Sequence, residues 1–150
     1  MRRKRVLAFI ASLLAVLTLA GCEEEISYKD LDQTVQEVEV THHGMMVLNS
    51  SEMEETKEAT LISELNDALS RVEVQSNLSV DEFCDAVGLR MVFETKSGDE
   101  LAITYSSIVQ DGDCKPMAVV DLNGEKEGYV DGDVYGELES ILEDTGDLDW

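Results

Sequence analysis

The run from Leu89 to Tyr105 leaves a folding chain few choices. Leu89, Met91 and Phe93 alternate with Arg90, Val92 and Glu94, Lys96-Ser97-Gly98-Asp99 offers a turn, and Leu101, Ile103 and Tyr105 alternate back. A period of two places one set of side chains on one face of a strand. On a helix, residues two apart face nearly opposite sides, so the same pattern would gather no apolar surface. An antiparallel hairpin with one face in need of cover is expected here.

The remaining patterns supply more strands and the cover. Val35 to Thr41 reads as a strand, with Val38 and Val40 against Glu37 and Glu39; His42-His43-Gly44 turns it into Met45 to Leu48. Ile62, Leu65, Ala68, Leu69 and Val72 recur at helical spacing, with Glu58, Glu64 and Asp67 on the other side and Ser51/Glu54 as a capping box upstream. A second helix is expected from Ser79 to Gly88, with Val80, Phe83, Cys84 and Val87 as its apolar face. Gln110 to Lys115 reads as a loop and Met117 to Leu122 as a strand. Asn123-Gly124 is a tight turn, since both residues tolerate positive φ, and Lys126 to Val130 returns. Val134, Leu138, Ile141 and Leu142 form a closing helix, capped by Asp131 or Asp133 and stopped near Gly146. Strands in runs with helices grouped between them predict an α+β fold: a mainly antiparallel sheet with helices packed on one face.

The first residues speak of address rather than fold. Four cations, Arg2 to Arg5, precede Val6 to Ala20, where only Ser12 and Thr18 interrupt an apolar run. At 1.5 Å per residue this run spans roughly 22 Å, short of the hydrocarbon core of about 30 Å, so a secretory signal is favoured over a membrane span. Leu19-Ala20-Gly21-Cys22 resembles the lipobox of bacterial lipoproteins. That resemblance covers residues 1–22 and implies cleavage before Cys22, acylation of its thiol, and anchorage to the cell membrane on the extracytoplasmic face. Residues 1–21 would be the signal peptide, 22–33 the lipidated cysteine with an acidic tether, and 34–150 a single α+β domain.

Charge narrows the partners. The chain carries 33 acidic residues against 11 Lys and Arg, a formal charge of −22, and loss of the four cations in residues 1–21 makes it −26. Nucleic acid is excluded by this balance, because its phosphates require clustered Lys and Arg. The lipid bilayer is expected as a partner only through acylated Cys22, since an acidic domain stands off anionic lipid.

Two cysteines remain, Cys84 and Cys114. Outside the cytoplasm an even pair is a disulfide candidate, while the helical pattern around Cys84 offers a buried thiol instead. Asp121-Leu122-Asn123-Gly124-Glu125 and Asp131-Gly132-Asp133 resemble parts of a calcium loop, but in neither register do the sixth and twelfth positions carry the glycine and carboxylate such a loop needs. Asp111-Gly112-Asp113 is a further acidic turn. Asp111, Asp113, Asp121, Asp131 and Asp133 are therefore the metal candidates, for a weak calcium site at most, with solvated turns as the alternative. His42 and His43 are adjacent, so on a strand they point apart and do not readily share an ion.

Enzyme signatures are missing: no Gly-x-Ser-x-Gly, no His-Glu-x-x-His, no glycine-rich phosphate loop before a lysine. A non-enzyme without a cofactor is expected. The leading reading is a membrane-anchored extracytoplasmic lipoprotein serving as a binding module for an envelope protein or basic ligand, with hairpin edges offering a place for strand addition. A calcium-linked structural module and an envelope hydrolase are the alternatives.

Overall fold

A computed structural model, which describes residues 34–80 and 82–148, has a six-stranded antiparallel sheet and two helices. The expected signal segment, Cys22 and the expected tether lie outside the described residues. In chain order the elements are β1 (Val35–His42), β2 (Met45–Asn49), a 3-10 turn (Ser50–Glu52), α1 (Glu55–Leu69), β3 (Leu89–Thr95), β4 (Glu100–Gln110), β5 (Asp113–Leu122), β6 (Glu125–Asp131) and α2 (Gly132–Asp144). The strand order is β2-β1-β3-β4-β5-β6, so only the step from β2 to β3 crosses over, and α1 makes it.

Three of the reversals are two-residue turns with positive φ at both positions: His43-Gly44, Asp111-Gly112 and Asn123-Gly124. Their twist matches that of the flanking strands, which is why short hairpins favour them. The loop expected over Gln110 to Lys115 is thus a correction: β4 and β5 run on as paired strands to Gln110 and Asp113.

Alternation decides which face is covered. Val38, Val40, Leu89, Met91, Phe93, Leu101, Ile103, Ala118, Val120 and Val130 point to one side, where Leu61, Leu65 and Leu69 of α1 and Tyr135, Leu138 and Leu142 of α2 close over them. The stripe of α1 is turned slightly from expectation. Leu61 is fully buried, while Ile62 lies at the margin beside Val35 and Lys96. The helices run antiparallel, because the Arg71 guanidinium just beyond α1 pairs with Glu137 early in α2, while Lys57 pairs with Asp147 past its end.

Polar groups lock the helices to the strands. Asn66 of α1 accepts from the Val35 amide at 2.9 Å and donates to the Val35 carbonyl at 3.0 Å, extending the sheet's hydrogen bonding into the helix. Ser50 Oγ accepts from the buried Val38 amide at 3.0 Å. The Ser51/Glu54 capping box does not form. Ser51 belongs to the 3-10 turn, its hydroxyl bonding Asn49 Oδ1 at 2.8 Å, and the Glu54 carboxylate at the start of α1 accepts from the Thr56 hydroxyl at 3.2 Å rather than from a backbone amide. Tyr135 of α2 accepts from the Leu89 amide at 2.7 Å, and burial pushes its hydroxyl up to about 12 from an ordinary 10.0.

The second expected helix is the main correction. The described residues of 79–88 contain no helix; they belong to an irregular segment that straps the other face of the sheet.

Candidate functional site

The strap begins just after α1 and is built from two short strand contacts. Gln75 pairs with Tyr129 on the outer side of β6, its amide donating to the Tyr129 carbonyl at 2.7 Å and its carbonyl accepting back at 3.2 Å. The backbones meet there because position 128 is glycine; a Cβ would stand 2.5 Å from the Gln75 carbonyl oxygen. Asp131, expected as a helix cap, sits at the start of α2 but accepts from the Gln75 side chain at 3.0 Å instead. Leu78 and Val80 then pack with Val119 over Ile108, Met117 and Tyr129, a small second core on the side of the sheet away from the helices.

The strap ends beside β4. The Val109 amide donates to the Glu82 carbonyl at 3.1 Å, and the Cys84 amide donates to the Ser107 carbonyl at 2.9 Å. Continuing the β3–β4 ladder unbroken from Arg90 opposite Thr104 would put residue 86 opposite Ile108, yet Phe83 is there. Three extra residues are therefore accommodated between Cys84 and Leu89, and the chain bulges outward. It returns at Gly88, which lies against Tyr105 so closely that a Cβ would come within 2.5 Å of the ring's own Cβ. Gly88 serves this close approach rather than ending a helix.

Cys84 and Cys114 form a disulfide, with Cα atoms 6.1 Å apart. It ties the strap to the first residues of β5. The Cys84 thiol is thus not the buried helix-face group that the local pattern also allowed.

One end of the sheet gathers what is unusual. His42, Met45, Leu89, Gln110, Asp113 and Asp131 all mark strand ends on that side, and Thr34 and the 96–99 and 123–124 turns mark the other. The exposed large apolar side chains among the described residues are Met45 (68%), Met46 (52%), Phe83 (53%) and Val87 (64%), all on the first side. Glu82 and Asp85 on the strap, and Asp111 and Asp113 at the β4–β5 turn to which the disulfide ties it, are exposed as well.

The uncovered face also holds a hollow of about 320 Å³ toward the opposite end, lined by Glu37, Glu39, Val92, Glu94, Gly98 and Glu100. Gln36 donates to Glu94 at 3.0 Å, and Arg90 stands 3.9 Å from Glu100. Four carboxylates from three neighbouring strands make it a cation-attracting surface.

The aspartates proposed for calcium do not converge. Asp111 lies in the β4–β5 turn and Asp113 follows it, while Asp131 and Asp133 stand where β6 enters α2. Asp131 pairs with Met117, four residues or about 13 Å along β5 from Asp113. Asp121 lies near the far end, opposite Ala102 and Lys126. Among the described residues no three His, Cys, Asp or Glu side chains are placed to hold a metal ion together. His42 ends β1 and His43 occupies the turn, their rings 4.3 Å apart.

Sequence reasoning assigned Phe83 and Val87 to a helix core and so missed that both are exposed. A signal was present: a bridge from Cys84 to Cys114 requires residue 84 to reach the β4–β5 turn, which a helix packed on the other face does not do. No family model matches the chain, and no curated protein or solved structure is significantly similar to it.

Proposed function

We propose that the chain is a lipid-anchored, extracytoplasmic interaction module, held at the membrane by acylated Cys22 and meeting a partner protein with the sheet end that carries Met45, Met46, Phe83 and Val87. The observation that carries this is polarity along the strands. The described chain enters at Thr34, and the exposed apolar side chains stand at the opposite end of β1, about 25 Å away for eight residues of strand. An anchor attached before Thr34 leaves that end facing outward. Isolated exposed apolar residues are ordinary on a surface, but four at one end of a molecule this acidic mark a contact region.

The acidic hollow suits the same role, because its charge favours approach of a basic surface. Its carboxylates come from strand positions facing solvent, and among the described residues that line it there is no histidine, cysteine or serine. Binding is therefore the reading it supports best.

The test is photo-crosslinking in cells that display the full chain. A photoreactive side chain at position 46 should yield a discrete protein adduct, and the same group at position 97, on the other end, should not. Adducts from 97 alone, or from neither, would remove the reading. Separately, Cys22→Ala should abolish lipid labelling and leave the precursor uncut; normal labelling would refute the anchor.

A further inference from the structure

We infer that the strap's last residues, 82–84, are a docking edge for an extended basic and apolar segment of a partner protein. This rests on the interaction-module reading and names its partner's chemistry. Residues 82–84 occupy the lane of β3 beside the outer half of β4. In that lane β3 has β1 on its other side, but β1 ends at His42, opposite Leu89. Among the described residues nothing pairs with 82–84 on the side away from β4, so the sheet is stepped there and one strand is missing from the step.

Unpaired strand edges invite a further strand, and proteins ordinarily blunt them with short length, charge or cover. This edge is kept in strand geometry by two hydrogen bonds to β4 and by the Cys84–Cys114 disulfide, so little ordering remains for binding to supply. Beside it stand Phe83 and Val87, half or more exposed, with the exposed Glu82 and Asp85 on the same segment and the exposed Asp111 and Asp113 at the turn beside Cys114, to which the segment is bonded. Lys115 is the nearby cation, and it is engaged with Gln110 at 3.1 Å.

Charge complementarity selects the occupant. A second copy would bring the same four acids to the same place, on a chain whose formal charge is −22. An anionic lipid surface is repelled for the same reason. A segment alternating apolar and Lys or Arg residues satisfies both features, laying one row on Phe83 and Val87 and the other among the acids.

The test uses the full chain in phosphatidylcholine vesicles and a fluorescent peptide of alternating Val and Lys, measured by cosedimentation against bare vesicles. Phe83→Ser with Val87→Ser should weaken binding by about tenfold, the scale of losing apolar anchors at an interface. N-methylation of alternate peptide amides, which keeps charge and removes strand pairing, should do the same. Met45→Ser with Met46→Ser should change binding by less than about twofold. All four positions are exposed, so melting curves should show both double variants folded. Equal binding of the N-methylated peptide would mean attraction by charge alone and would overturn the proposal. Dependence on Met45 and Met46 instead of Phe83 and Val87 would overturn it too, while leaving the broader reading intact.

Discussion

The two faces of the sheet are closed by different means. On one, two amphipathic helices lay Leu61, Leu65, Leu69, Leu138 and Leu142 over the strands, and Phe93 and Ile103 are buried to zero exposure. On the other, an irregular strap covers Ile108, Met117 and Tyr129, and it is fastened by Gln75, by Glu82 and Cys84, and by one disulfide. The first face is held by area removed from water, the second by a few fixed points. The large core should therefore define global stability, and the strap should respond to covalent and backbone changes with the rest of the fold intact.

The largest effect that would break this contrast concerns Phe93. Among the described residues it is the largest fully buried side chain, and Phe93→Ala should cost about 3–5 kcal/mol by lost transfer energy and an unfilled cavity. Met117→Ala, at the edge of the strap's core, should cost nearer 2 kcal/mol. Denaturant titration of both variants checks the order. Equal losses would mean that the strap's core is as well built as the helical one.

The disulfide comes next. Closing a loop of 30 residues restricts the unfolded chain by about 3–4 kcal/mol on the chain-entropy estimate. Cys84→Ser with Cys114→Ser should lower the melting temperature accordingly. If the strap is a semi-independent unit, amide exchange should quicken around Cys84 and Val109 well before it does around Met91. Uniform quickening across the sheet would dissolve the distinction between the faces.

This difference also explains what could be read from the chain. The helix-covered strands announce themselves because one face is buried throughout: Leu89, Met91 and Phe93 alternate cleanly with Arg90, Val92 and Glu94. Asn123-Gly124 is legible because its residues tolerate the positive φ the turn requires. Beyond Tyr105 the signal fades. Gln110 and Asp113 to Pro116 are exposed in paired strands, so no apolar alternation marks them.

The strap misleads for the opposite reason. Val80, Phe83, Cys84 and Val87 meet a helical spacing by composition, yet their fates are set by distant groups. Val80 is drawn to Met117 and Tyr129, Cys84 is bonded to Cys114, and Phe83 and Val87 stay exposed. Local pattern weighs only neighbours in sequence, and here separations of 25 to 56 residues decide. Asn66 was illegible likewise, since its partner Val35 lies 31 residues away.

The smallest expected effect tests where the faces meet, at the start of β3. Tyr135 reaches from α2 to the Leu89 amide, the first residue after the strap, and its ring lies 4.9 Å from that of Tyr105, against which Gly88 packs. Tyr135→Phe leaves that buried amide without its acceptor and should cost about 1–2 kcal/mol near neutral pH. The pH dependence separates the hydroxyl from the packing. In the fold, burial holds the phenol neutral up to about 12, whereas unfolded it ionises from 10.0. The unfolded chain therefore loses this proton first, and stability should fall as pH rises through that window. Tyr135→Phe has no such proton, so its stability should fall less, and the two curves should converge toward the top of the window. Parallel curves would mean that the phenol is not shielded, and that the strap's return is fastened by Gly88 and Tyr105 rather than by α2.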